Sequence, residues 1–495
     1  MPCAFPQSFL PSVFSGLLGN SSVLVPFLLP GHRPWARWCW VLFLAGTVLL
    51  GACNHIAPAP LTAREGGQPR AIPAGAVPAG VTPVQLVKNA AGFRLLRGGQ
   101  PYFLRGAGGV QHFAQLREAG GNTVRLWSTD YAEPLMDEAQ RHGLTVMLGL
   151  WLEPESNYFN YQDDERVQEQ MRRMREQVLR FRRHPALLMW NIGNEAELSV
   201  HGPRLFEAVN NLARMIHELD PYHPVTISLS DFNTWASRLQ EVAPEVDILS
   251  VNAYGALFDL PARIRKSGWQ GPYIVTEYGT RGYWEGRKTF WKAALEENSA
   301  EKSEFMRTRY QHSIVGDSSR CLGSYVFCWG YKFEYTATWF GLFEATGEKT
   351  EMVDELYRLW RNKYPPNRAP HLTDLRVTGL PGRFLPEFLP GQECPAAVTV
   401  TDPESDALDV RWEVLPDEVT VDGPIKERET PQEPVPDCVV GAHTKQVSVR
   451  MPATPGRYRL YVRVFDGHGS VATANVPLLV RVPKKHFYSF ITTND

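Results

Sequence analysis

The chain has 495 residues, 43% of them hydrophobic and 21% charged, with a formal net charge of −2. That composition is ordinary for folded domains and excludes a wholly disordered chain, a collagen and a multi-span membrane protein. The 51 Lys and Arg against 53 Asp and Glu leave no basic footprint for nucleic acid, and the 14 Trp are numerous enough to line a ligand groove as well as a core.

Residues 1–53 read as an export leader. Arg33 and Arg37 precede an uncharged run from Trp38 to Leu50. The run is shorter than the ~20 residues a helix needs to cross a bilayer, but it suits a signal-peptide core. It ends in Leu50-Gly51-Ala52-Cys53, which resembles a bacterial lipobox. The resemblance implies lipidation of Cys53, which becomes the mature N-terminus, and Asn54 after it favours the outer membrane. Residues 54–83, rich in Ala, Pro and Gly, read as a disordered tether. The expectation is a bacterial cell-envelope protein held at a membrane by acyl chains.

Between Val84 and Leu104, two strand-like pieces are separated by Asn89-Ala90-Ala91-Gly92 and Gly98-Gly99. They read as a hairpin that closes the bottom of a barrel. Eight apolar runs then alternate with helical patterns: Tyr102–Gly106, Thr123–Trp127, Thr145–Trp151, Leu187–Ile192, Val225–Leu229, Ile248–Tyr254, Tyr273–Glu277 and Gly323–Trp329. Most runs are continuous, as parallel strands covered on both faces should be. The stripes Val167, Met171, Met174, Val178, Phe181 and Leu205, Val209, Leu212, Ile216 are helix faces packed on the strands. Eight βα units predict an α/β fold, a (β/α)8 TIM barrel over 84–365. Gly106-Ala107-Gly108-Gly109 does not spell the dinucleotide fingerprint of a doubly wound sheet.

After Lys363-Tyr364-Pro365-Pro366 the pattern becomes alternating, in Ala396–Val400, Leu408–Val414, Gln446–Arg450 and Tyr458–Val464. This predicts a smaller all-β, Ig-like sandwich over 366–484 and a tail over 485–495. Asp402-Pro403-Glu404-Ser405-Asp406 and Asp466-Gly467-His468-Gly469 read as polar turns. Cys394 and Cys438, in one domain of an exported protein, are candidates for a disulfide. Cys321 and Cys328, seven residues apart on one predicted strand, are too distant to bond and read as buried free thiols. No spacing matches a metal site, and no cofactor is expected.

A TIM barrel carries its chemistry at the C-terminal ends of its strands. Glu195 ends the fourth and Glu277 the seventh, on opposite sides of one mouth. Two carboxylates across a cleft suit glycoside hydrolysis, in which one delivers a proton and the other stays ionised. Arg125 is expected to pair with Glu277 and keep it ionised. Tyr254 is a candidate hydrogen-bond donor to the same carboxylate. Trp329 is either a core residue or a sugar platform, and Trp151 and Asn194 are candidate substrate contacts. Glu153, Glu197 and His112 lie near the same strand ends.

Three segments carry a family resemblance: Asn122-Thr123-Val124-Arg125-Leu126-Trp127, the stretch from Arg183-His184-Pro185 through Trp190-Asn191-Ile192-Gly193-Asn194-Glu195, and Thr276-Glu277-Tyr278-Gly279. They resemble the clan A glycoside hydrolases, most closely the catalytic barrel of family 2, with family 5 second. Trp339-Phe340-Gly341-Leu342-Phe343 resembles the closing segment of that barrel. The resemblance implies a retaining mechanism with Glu195 as acid/base, Glu277 as nucleophile and Asn194 at the sugar 2-hydroxyl, without metal or organic cofactor. Family 2 enzymes usually carry a jelly roll and an Ig-like domain before the barrel, and the stretch from Cys53 to Gln100 is too short for either. The sugar is therefore not implied. The expected activity is hydrolysis of a β-linked oligo- or polysaccharide. The alternatives are a β-glucan-remodelling transglycosylase or a non-catalytic carbohydrate-binding lipoprotein.

Overall fold

The computed structural model describes residues 67–482, apart from 201, 231, 418–426, 429–431 and 442. The expected leader, Cys53, the start of the expected tether and the 485–495 tail lie outside the described residues. The rest of that tether, 67–83, is a correction. It has no helix or strand, yet it lies along the barrel, with Arg70 ion-paired to Glu245 and the Gly67 N–H donating to Val246 O at 3.3 Å. Its Pro and Gly content prevents regular structure, but not packing.

Strands β1 (Val84–Asn89) and β2 (Gly92–Arg97) form the expected hairpin, extended by β3 (Gln100–Pro101). Alternation puts Val84, Leu86, Phe93 and Leu95 on one face, where they pack with Leu104, Met147, Leu188, Met189, Ile248, Ile274 and Leu322. These are barrel-interior side chains, so the hairpin plugs the bottom.

The eight barrel strands are β4 (Leu104–Gly108), β5 (Thr123–Leu126), β6 (Thr145–Leu150), β7 (Leu187–Asn194), β8 (Val225–Leu229), β9 (Ile248–Asn252), β10 (Tyr273–Tyr278) and β11 (Cys321–Val326). All are parallel to their neighbours, and β11 pairs with β4 to close the ring. Their residues are almost all buried, because helices cover the outside while side chains fill the inside. The helices are α1 (Phe113–Ala119), α2 (Ala132–Arg141), α3 (Asp164–Phe181), α4 (Arg204–Leu219), α5 (Phe232–Val242), α6 (Leu260–Lys266), α7 (Ser299–Arg309) and α8 (Glu351–Arg361). Local signals set their starts: the Asp163 carboxylate caps α3 by accepting from the Arg166 N–H, and Asn298 with Glu301 forms a capping box on α7.

A short strand β12 (Phe333–Glu334) precedes α8, and the chain then builds a two-sheet sandwich. Its strands are β13 (His371–Val377), β14 (Leu380–Pro381), β15 (Glu393–Thr401), β16 (Asp409–Pro416), β17 (Glu427–Arg428, paired with β12), β18 (Val439–Val440), β19 (Gln446–Arg450), β20 (Gly456–Phe465) and β21 (Val471–Val480). One sheet runs β14-β13-β15-β19-β18 and the other β16-β20-β21. Val398, Val400, Val447 and Val449 of the first meet Val410, Trp412, Leu460 and Val462 of the second. The outer face of β20 and β21 lies on the barrel, where the Thr473 N–H donates to Ser299 Oγ and Asn475 reaches Glu296.

The disulfide expectation is corrected. Cys394 and Cys438 are both free. Cys394 on β15 faces Val449 of β19, and β18, which begins one residue after Cys438, pairs with β19 from its other side. A whole strand intervenes, and two strand spacings of about 4.8 Å exceed what a disulfide spans. Cys321 is a buried free thiol as expected, whereas Cys328 is only half-buried. The Asp402 and Asp466 turns are turn chemistry: Asp402 Oδ1 accepts from the N–H groups of Glu404 and Asp406, and Asp466 Oδ1 from those of His468 and Ser470.

Candidate active site

The site stands at the C-terminal ends of β5, β7, β9 and β10. Arg125 and Trp127 are two residues apart and share one face of β5 and its extension. Arg125 is fully buried. Its Nη1 donates to Glu277 Oε1 at 2.7 Å and to Thr276 O at 3.0 Å. Its Nη2 donates to Asn194 Oδ1 at 2.6 Å. Trp127 Nε1 donates to the same Glu277 oxygen at 3.0 Å. The other oxygen, Oε2, accepts from the Tyr254 hydroxyl at 2.9 Å. Glu277 is thus held by a cation, an indole and a phenol.

At the end of β7 the backbone turns sharply. Gly193 has φ 70, and a Cβ there would meet the Leu152 side chain at 2.7 Å. Glu195 itself has φ 51, a left-handed conformation that costs a non-glycine residue about 1–3 kcal/mol. The chain is held there by the Glu195 N–H, which donates to Ser228 O at 2.9 Å. The side chain is oriented by Asn252, whose Nδ2 donates to Glu195 Oε1 at 2.8 Å and to Asn194 Oδ1 at 3.0 Å. Asn252 is oriented in turn by the Thr276 hydroxyl, which donates to its Oδ1 at 2.8 Å. A continuous chain of contacts therefore links the two glutamates: Glu277, Arg125, Asn194, Asn252, Glu195.

The electrostatics of the pair are unequal. Burial, and then the charge of Glu277, push Glu195 up to about 7, against a smaller downward pull from Asn252. Glu277 instead sits against the Arg125 guanidinium. One carboxyl that holds its proton near neutrality beside one that is ion-paired can act as proton donor and nucleophile respectively.

Glu195, Glu277, Arg125, Asn194 and Tyr254 are thus brought together. Trp151 follows β6 and is 45% exposed at the mouth, without a hydrogen bond to either glutamate. Trp329 is a correction. It is 1% exposed, its Nε1 donates to His112 O at 3.1 Å, and its ring meets the Phe343 edge at 5.3 Å. It lies three residues past the end of β11, where strand alternation no longer aims side chains, and it joins the core. Glu197 accepts from the Ser230 N–H at 2.6 Å and braces the loop after β8. Glu153 faces Arg173, and His112 stacks on Phe343 at 4.1 Å, where burial lowers its pKa. Among the described residues no three His, Cys, Asp or Glu side chains are grouped to hold a metal ion.

Two residues of the constellation were not singled out from the sequence: Trp127 and Asn252. The signal was present, since each lies two residues from a candidate, Arg125 and Tyr254 respectively, and period-two alternation puts such pairs on one side of a strand.

Residues 112–320 match the family description "Glycosyl hydrolases family 2, TIM barrel domain". A human β-glucuronidase is 27% identical over 237 residues, 41% of this chain and 34% of that protein. A Bacteroides ovatus β-galactosidase is 23% identical over 328 residues, 53% of this chain and 36% of that protein. The crystal structure of a Bacteroides uniformis β-glucuronidase covers 80% of this chain and 48% of its own at 14% identity and a TM-score of 0.43. The chain spans about a third of the length of the curated relatives it matches.

Proposed function

We propose, from the match of residues 112–320 to the glycoside hydrolase family 2 TIM-barrel domain, that the chain is a retaining β-glycoside hydrolase acting on a β-linked oligo- or polysaccharide. The observation that carries the reading is the unequal treatment of two glutamates in one mouth. Glu195 is raised to about 7 and Glu277 is ion-paired to Arg125.

Glu277 attacks the anomeric carbon while Glu195 gives its proton to the leaving oxygen and the glycosidic bond breaks. The product is a glycosyl ester on Glu277. Glu195, now a carboxylate, takes a proton from a water that attacks the same carbon and frees Glu277. Arg125, Trp127 and Tyr254 hold the nucleophile by three hydrogen bonds. Asn194 has its Oδ1 committed to Arg125 and Asn252, so its amide NH2 is the end left for the sugar 2-hydroxyl. The scheme needs no metal or organic cofactor.

The test is labelling with activated 2-fluoro sugars of gluco, galacto and glucurono configuration, followed by peptide mapping. The adduct is expected on Glu277; an adduct on any other side chain overturns the assignment.

The location that goes with this reading is the bacterial cell envelope, with the chain acylated at Cys53 and held at the outer membrane. Its support is the apolar run from Trp38 to Leu50 and the Leu50-Gly51-Ala52-Cys53 sequence. Cells supplied with labelled palmitate should label the wild-type chain but not Cys53→Ala. Label retained in the variant refutes the anchor.

A further inference from the structure

The loop over 279–298, between β10 and α7, forms one wall of the mouth. It carries Trp284, which is 48% exposed. No partner for its indole N–H exists among the described residues. Its ring stands perpendicular to Tyr254 at 5.5 Å, and Tyr254 is the phenol that holds Glu277. Tyr283 meets it edge to face at 4.8 Å, and Phe340 lies tilted against it at 6.2 Å.

The loop gives this indole a fixed place. A Cβ on Gly282 would come within 2.5 Å of the Trp284 ring, so the ring lies against bare backbone there. The Glu285 carboxylate accepts from the N–H groups of Gly255 at 2.7 Å and Gly282 at 3.0 Å, which ties the loop to the residue after Tyr254. Farther along, the sandwich holds it. The Ala294 N–H donates to the Tyr335 hydroxyl at 2.7 Å, and Arg459 of β20 donates to Ala294 O at 3.1 Å. Tyr335 stacks on Tyr283 at 4.8 Å. An apolar ring left half in water one side chain away from Glu277, on a loop tied to the barrel through Glu285 and to the sandwich through Ala294, is placed for contact with something outside the chain.

We propose that Trp284 is the stacking platform for a second pyranose ring, next to the one that reacts between Glu195 and Glu277. The inference rests on the glycosidase reading and deepens it: the substrate is a chain of at least two β-linked rings, whose apolar CH face lies on the indole. Trp284 replaces Trp329 in the role that the sequence suggested for an aromatic at this mouth.

The experiment titrates β-linked oligosaccharides of one to four rings, in gluco, galacto and glucurono series, into the catalytically blocked Glu277→Gln protein by calorimetry. The same titration is run in that background with Trp284→Ala, Trp284→Phe and Gly282→Ala. Affinity is expected to rise about tenfold from one ring to two, the scale of one aromatic contact. Trp284→Ala should abolish that rise and Trp284→Phe should keep part of it. Gly282→Ala, whose backbone stays in an ordinary conformation, should abolish it by displacing the ring. A rise with length that survives Trp284→Ala overturns the proposal. So does an equal loss for one ring and for two, which marks the residue as support for the acids only, and so does binding at no length. The two readings fail separately: if the wild type cleaves none of the series while the length dependence tracks Trp284, the hydrolase reading falls and the platform stands.

Discussion

The Glu277 carboxylate receives three donors, one of them cationic, while the Glu195 carboxylate receives a single neutral amide N–H. That asymmetry sets the pH behaviour. In the proposed reaction Glu195 must be protonated for the first step, and it is raised to about 7 chiefly by burial. The value of kcat/KM is therefore expected to fall as pH rises through about 7. Glu195→Gln should remove that limb and cost about 10²–10⁴-fold on substrates with poor leaving groups, measured as pH–rate profiles. Stability carries the same sign. A carboxyl whose pKa is higher in the folded than in the unfolded chain contributes stability that is full at low pH and is lost as pH rises through the folded value. Glu195→Gln should accordingly raise Tm relative to the wild type at pH 8 but not at pH 4. A Tm difference independent of pH would contradict the assignment.

Among the elements, the barrel strands were legible because burial on both faces leaves continuous apolar runs, and all eight stand where those runs lie. Strand β15 was legible for the opposite reason: exposed and buried residues alternate along it. Strand β21 alternates apolar and polar residues from Ala472 to Val476, as a half-solvated strand would. It is buried throughout, and polar Thr473 and Asn475 face the barrel rather than water. Strand ends gave the acids, because chemistry in this architecture sits where strands stop. Side chains beyond a strand end obey no such rule, which is why Trp329 turned inward and why Trp284, on a long loop, went unread. Sheet order is likewise absent from local pattern, so nothing in the sequence showed that β19 runs between Cys394 and Cys438.

At the scale of the molecule, the sandwich is joined to the barrel through a buried polar contact. Arg459 is 1% exposed and donates to Asp417 Oδ2 at 3.1 Å, Asn475 Oδ1 at 2.7 Å and Ala294 O. Asn475 continues to Glu296, which is paired with Lys302 at 2.5 Å. Removing one partner of a buried pair strands the other charge, so Arg459→Leu should lower unfolding free energy by about 3–5 kcal/mol in denaturant titrations. The double variant Arg459→Leu/Asp417→Leu should recover most of that loss while leaving the Ala294 carbonyl unanchored. Its KM for a multi-ring substrate should therefore stay raised. Full recovery of KM together with stability would mean that the contact supports the fold without steering the loop.

The four cysteines within the described residues are all unbridged. The barrel and sandwich consequently reach their final shape without oxidative cross-linking. Reducing agents should leave the melting curve where it is, and a reducing cytosol should yield the same folded protein as an oxidising compartment.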